Sequence, residues 1–110
     1  MEWTHMSQTQ IKSLQMEGDP LIEVRGKWDQ SSLDALIKAF QKNLAKVTSR
    51  LFLRLSELDY MDSAALGVIM FNMRELAKKN AKLVLLNPSS DMMDILRTAS
   101  LDRILEIRSA

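Results

Sequence analysis

The sequence predicts a single α/β domain, built on a mixed, mostly parallel sheet that opens with a hairpin and has amphipathic helices packed on it. Three observations predict it. Residues 11–16 and 21–25 alternate apolar and polar positions on either side of a Gly- and Pro-containing turn, the period of paired, half-buried strands. Three later stretches switch to the 3–4 spacing of helices. Between them stand two short, mostly apolar runs, LFLRL at 51–55 and KLVLL at 82–86, as expected of strands buried on most of both faces. Strands that alternate with helices imply crossover connections and hence parallel pairing.

In the first strand, Leu14 and Met16 share one side and Ser13 and Gln15 the other. Glu17, Gly18, Asp19 and Pro20 form the turn, and Ile22 and Val24 give the second strand its inner face. From Ser32 a helix carries Leu33, Leu36, Ile37, Phe40, Leu44 and Val47 on one stripe, with Asp29, Ser31 and Ser32 as cap oxygens ahead of it. After the strand at 51–55, residues 58–62 read as a carboxylate-rich connecting loop. A second helix runs from Ser63 to about Asn80 on the stripe Leu66, Ile69, Met70, Met73, Leu76 and Ala77. Asn87 and Pro88 close the strand at 82–86. Ser89 or Ser90 then caps a third helix bearing Met92, Ile95, Leu96 and Ala99, and the tail adds a last strand or turn at the sheet edge. Leu53, Leu55, Leu83, Val84 and Leu85 are expected against the helix stripes.

Length and composition bound what such a domain can do. The 110 residues suit one domain, read as an N-terminal extension over 1–10 and a folded domain over 11–110. Lys plus Arg number 15 and Asp plus Glu 14, a net charge of +1 that argues against a nucleic-acid binder. No apolar run approaches the roughly 18 residues of a membrane-spanning helix, and the first ten residues lack the pattern of a signal peptide. The expected setting is cytoplasmic, without membrane insertion. There is no Cys, and His5 is the single His, which leaves little for nucleophilic catalysis. The three glycines, Gly18, Gly26 and Gly67, make no phosphate-binding fingerprint. No catalytic residue, metal site or cofactor is expected, and the domain reads as a non-enzyme.

Several residues invite a closer reading. Met70, Met73, Met92 and Met93 lie on or beside helix stripes, where Met either fills irregular core space, the expected use, or makes an adaptable binding surface. Trp28 is either an exposed recognition anchor or a ring packed over the sheet end. Glu57, Asp59 and Asp62 could offer oxygens to a hard cation, or simply solvate a surface loop. Asp62 and Ser63 stand at the start of the second helix, so one of them serves as its cap. The alternative use of Ser63 is as a phosphoacceptor, its phosphate facing free N–H groups and the positive end of the helix dipole.

The stretch LFLRLSELDYMDSAALGVIMFNMRELAKKNAKLVLLNPSSDMMDILRTASLDRILEI, at 51–107, resembles the STAS family, the bacterial anti-sigma factor antagonists and their relatives. Such proteins show an aliphatic strand, a loop ending Asp-Ser, a helix opening Leu-Gly-Val and a strand ending Asn-Pro. Upstream, LIEVRGKWDQSSLDAL is similar to the family's strand–Gly–x–x–Asp–helix entry, with Gly26 and Asp29 in the matching places. The resemblance covers residues 11–107.

That resemblance implies a switchable binding module. Ser63 takes the place of the residue phosphorylated by an anti-sigma factor that is also a serine kinase, with a histidine-kinase-like ATPase fold. The unphosphorylated form binds that kinase and frees a sigma factor; a PP2C-type phosphatase resets the switch. Asp29, Asp62, Ser63 and Gly67 are then the expected partner-binding residues. The family often reads Asp-Ser-Ser-Gly-Leu-Gly where this chain has Asp-Ser-Ala-Ala-Leu-Gly. Ala64 and Ala65 keep the acceptor and stiffen the helix start, since Ala is the better helix former. The rival implied by the same resemblance is a STAS subunit of a stress-signalling scaffold or of a lipid-transport ATPase complex.

Overall fold

The computed structural model describes residues 4–6 and 9–109. The opening hairpin pairs β2 (Thr9–Met16) with β3 (Asp19–Trp28), Ile11 opposite Val24 and Leu14 opposite Leu21. Its turn is shorter than expected: Glu17 and Gly18, both at positive φ (+55° and +82°), make the whole connection. This two-residue turn has the twist of the strands it joins. Asp19 and Pro20 already belong to β3. Asp19 is drawn out of the turn by its carboxylate, which accepts from the Thr48 N–H at 2.7 Å, the Thr48 hydroxyl at 2.8 Å, the Ser49 hydroxyl at 3.0 Å and the Arg50 N–H at 3.1 Å. Part of the stretch expected as an extension joins the sheet, because β1 (Thr4–Met6) pairs antiparallel with the start of β2. Residues 1–3, 7 and 8 and the His5 side chain lie outside the described residues.

The remaining strands pair parallel. β4 (Arg50–Arg54) lies beside β3, β6 (Lys82–Leu86) beside β4, and β7 (Glu106–Arg108) beside β6. The seven-stranded sheet runs β1-β2-β3-β4-β6-β7, with β5 (Leu58–Met61) pairing the far end of β3. That last strand replaces the loop expected at 58–62. Its ends, Leu58 and Met61, are buried while Asp59 and Tyr60 are exposed, so it shows neither alternation nor an apolar run. β5 parallels Gly26–Trp28, after a register shift where Gly26 takes φ +85° and donates its N–H to the Glu57 carbonyl at 3.0 Å.

The helices are α1 (Leu33–Leu44), α2 (Ser63–Ala77) and α3 (Ser90–Thr98). A 3-10 turn, Gln30–Ser32, precedes α1 and takes the cap residues intended for it. α2 stops three residues short of the expected end because Asn80, at φ +58°, reverses the chain. The Ala81 N–H then reaches the Leu76 carbonyl at 2.9 Å and the Asn80 N–H the Ala77 carbonyl at 3.1 Å, which satisfies two terminal carbonyls. Ser89 is the cap of α3, accepting from the Met92 N–H at 3.2 Å.

All three helices cover one face of the sheet. There Ile22, Val24, Leu51, Leu53, Leu83 and Leu85 meet Leu36, Phe40, Ile69, Leu76, Met92 and Leu96 in the main core. Trp28 is fully buried there and stacks on Phe40 at 6.1 Å between centroids, so packing is its role. Met70, Met73 and Met93 border the same core, and Met92 is inside it. Val84 points the other way: with Leu21, Phe52 and Leu86 it forms a second small cluster on the opposite face, flanked by Leu14 and Met16. Strict alternation along β6 requires this, since Leu83 and Leu85 already face the helices.

Candidate functional site

Parallel strands that each feed a helix deliver their carboxyl ends, and the helix N-termini, to one end of the domain. At this end β3 and β5 finish side by side, Trp28 opposite Met61. The next residue on each strand is an aspartate. The Asp62 N–H donates to the Trp28 carbonyl at 3.2 Å, which ties the two strand ends together.

Each aspartate caps the helical turn that it leads into. Asp29 accepts from the Ser31 N–H at 3.0 Å and the Ser31 hydroxyl at 2.6 Å, while the Ser32 hydroxyl donates to the Asp29 carbonyl at 3.1 Å. The Ser31 hydroxyl holds the Asp29 carboxyl below the usual carboxylate range, and the Lys27 ammonium adds to this. Asp62 accepts the Ala65 N–H at 2.9 Å and is half-buried. Of the two candidate caps for α2, Asp62 has the role. Ser63 is thereby released. It opens the helix on its exposed side, and among the described residues nothing hydrogen-bonds its hydroxyl. Gly67 is exposed one turn further along the same helix.

Asp29, Asp62 and Ser63 therefore share one end of the domain, with Gly67 leading away from it. The carboxylates of the 57–62 stretch disperse: Glu57 pairs with Arg25, and Asp62 serves the helix. Among the described residues, no group of three or more His, Asp or Glu side chains could hold a metal ion. No helix there is long and apolar enough to cross a membrane. Two exposed aromatic residues escaped the sequence reading, one near this end and one further along α2. Tyr60, 46% exposed, stands opposite Lys27 on β5, and Phe71, 57% exposed, stands on α2 beyond Gly67. Phe71 had a signal, being an aromatic residue outside the apolar stripe of its own helix; Tyr60 sits on the strand that was read as a loop.

The profile of the family described as "Mlab, STAS domain" matches residues 13–106, which includes every strand and helix from β3 to α3. The chain belongs to the STAS domain family. Solved structures agree on the fold. An anti-sigma factor antagonist from Mycobacterium paratuberculosis superimposes with a TM-score of 0.80 at 17% identity, over 90% of this chain and 84% of that one. The anti-sigma factor antagonist SpoIIAA in its unphosphorylated form gives 0.77 at 20% identity, over 91% and 87%. The Bacillus cell fate determinant SpoIIAA in its phosphorylated form gives 0.71 at 20% identity, over 91% and 90%. Among curated proteins, none matches this chain by sequence. As a STAS domain, it has the fold of a binding module, with its aspartate-capped end formed by the strand-to-helix entries that the family resemblance rests on.

Proposed function

We propose that this STAS domain is an anti-sigma factor antagonist that sequesters a serine kinase of the anti-sigma type while Ser63 is unphosphorylated. One observation carries the reading: Asp62 caps α2, which leaves Ser63 exposed with an unengaged hydroxyl at a helix N-terminus. A serine needed for capping would have its oxygen committed to the backbone. This one is free to accept a phosphoryl group. SpoIIAA, a structural neighbour, has been solved in both phosphorylated and unphosphorylated forms, and both superimpose on this chain, which supports a switch that leaves the fold intact.

The partner kinase supplies the chemistry: the Ser63 oxygen attacks the γ-phosphorus of ATP, ADP leaves, and the hydroxyl proton passes to a base of the kinase. A PP2C-type phosphatase returns serine by hydrolysis. On this chain the phosphate adds about −1.5 to −2 charges beside Asp62 and near Asp29. The dipole of α2 stabilises it by about 0.3–1 kcal/mol, so the domain stays folded. Within a docked interface the same charge is desolvated without a partner, a cost of about 2–5 kcal/mol that separates the two proteins.

Calorimetric titration of the cognate kinase with nucleotide tests this. Wild type and Ser63→Ala should bind alike, Ser63→Asp should bind at least tenfold more weakly, and only wild type should accept label from ATP. Equal binding by Ser63→Asp, or labelling of Ser63→Ala, rejects the proposal. The family resemblance also implies a second reading, a STAS subunit of a lipid-transport ATPase complex. Capture of a transporter ATPase from native cells, with Ser63 unmodified, decides for it.

A further inference from the structure

Between α1 and α2 runs a half-open groove of about 580 Å³ that the core does not use. Ile37 and Leu44 line one wall, and Val68, Phe71 and the exposed Gly67 the other. Gly67 has no packing reason to be glycine, since a Cβ built there meets nothing within 4 Å. A glycine inside a helix costs roughly 1 kcal/mol relative to alanine. One turn further on, Phe71 is 57% exposed. A hole and a protruding ring thus lie four residues apart on one exposed helix face.

That spacing is self-complementary. Two α2 helices set antiparallel about a two-fold axis between these positions place Phe71 of each copy over Gly67 of the other. Charge points to the same arrangement. α1 and α2 begin at the same end of the domain, where Asp29, Asp34 and Asp62 gather, while Lys42, Arg74, Lys78 and Lys79 stand towards the other end. These cations outnumber Glu75, which lines the groove there and pairs with Lys78 at 2.8 Å. An antiparallel pair sets acidic end against basic end twice over. We infer that this face binds a second copy of the chain, with Phe71 of each copy filling the groove over Gly67 of the other. One helix face and one groove offer less than the roughly 1,200 Å² of a standard interface. The dimer is therefore a weak one, populated from about tens to hundreds of micromolar. It also covers Ser63, so self-association would withhold the switch from its kinase; this consequence, unlike the dimer itself, rests on the function proposed above.

Sedimentation velocity on the full chain across about a hundredfold concentration range reads the association directly. Wild type should move from monomer towards dimer, and added salt should weaken the association. Phe71→Asp removes the ring and Gly67→Leu fills the hole. Each change occurs twice in a two-fold contact, so each should weaken association by on the order of a hundredfold or more. Helical circular dichroism and cooperative melting establish that both variants are folded. A wild type that stays monomeric throughout overturns the inference. So do folded Phe71→Asp and Gly67→Leu proteins that associate as wild type does.

Discussion

At the scale of the residue, two buried polar groups show opposite outcomes of the same cost. Asp19 is 3% exposed, and burial pushes its carboxyl up, but hydrogen bonds from Thr48 and Ser49 outweigh that and hold the pKa at about 2, against an ordinary 3.8. A carboxyl with a depressed folded pKa stabilises the fold above its unfolded pKa and loses that contribution as pH falls through the folded one. Stability should thus decline between about pH 4 and pH 2 through this group, and Asp19→Asn should flatten that part of the profile in urea unfolding measured against pH. An unchanged acid limb in Asp19→Asn would remove Asp19 from the account. The indole N–H of Trp28 is the opposite case: it is buried and unpartnered while its ring packs on Phe40. An unsatisfied donor costs about 1–3 kcal/mol, so Trp28→Phe sheds a penalty along with some volume. It should cost less than about 1.5 kcal/mol, whereas Trp28→Ala should cost about 3–5 kcal/mol. Equal losses in denaturant titration would mean that the N–H has found a partner. Neither outcome was legible in the residue types. Asp19 looked like a turn former because the thirty residues separating it from Ser49 hide the contact.

At the scale of the element, legibility followed how strongly each segment repeats. α1, α2, β4 and β6 have long stripes or dense apolar runs, and they stand where periodicity puts them except at two helix ends, α1 stopping at Leu44 before Val47 and α2 at Ala77. β5 was missed because four residues in the pattern buried–exposed–exposed–buried match no period; its place is set by β3, which no local signal announces. Asn72 and Asn43 were missed as core-facing positions because each side chain satisfies itself on the carbonyl four residues back, Val68 and Ala39, both at 2.8 Å. The cap positions at the candidate site were legible for a different reason, whereas the binding roles of Asp29, Ser63 and Gly67 are implied by the family resemblance alone. Caps act over two or three residues, so Asp29, Asp62 and Ser63 could be placed from local sequence, although which of Asp62 and Ser63 caps α2 could not. α2 supports a pair of opposed predictions. Gly67→Ala adds a methyl group into open space and removes the entropy cost of glycine, which should raise stability by about 0.5–1 kcal/mol. Asp62→Ala deletes the cap and should lower it by about 0.5–2 kcal/mol. Thermal unfolding of both proteins checks the signs, and a stabilised Asp62→Ala would show that Ser63 can replace the cap.

At the scale of the whole molecule, the sheet is covered by helices on one face only, yet the cluster on its other face is closed. Leu21, Phe52, Val84 and Leu86 are each no more than 1% exposed, although no helix contributes to that cluster. Arg108, on the last strand, lies across it. Its guanidinium sits 5.8 Å from the centre of the Phe52 ring and reaches Glu106 at 2.8 Å and Glu17, in the opening hairpin turn, at 3.4 Å. The last strand of the sheet is thereby joined to the turn of the opening hairpin. Two effects could make Arg108 matter. The ion pairs are partly solvated, Glu17 being 55% and Glu106 35% exposed, and pairs of that kind contribute about 0–1 kcal/mol. The aliphatic stem shields apolar surface at about 25 cal/mol per Å², and the contact with Phe52 adds about 0.5–1 kcal/mol. Cover should therefore outweigh charge. Arg108→Ala should lose about 1–2 kcal/mol and expose apolar surface to a hydrophobic dye, whereas Arg108→Met keeps a long apolar side chain over Phe52 and should recover more than half of that loss. Added salt should change wild-type stability little through this residue, because the aliphatic stem carries no charge and the solvated ion pairs contribute little. If Arg108→Met unfolds as readily as Arg108→Ala in urea, the Glu17 carboxylate ties the last strand to the opening hairpin, and the open face depends on its ion pairs.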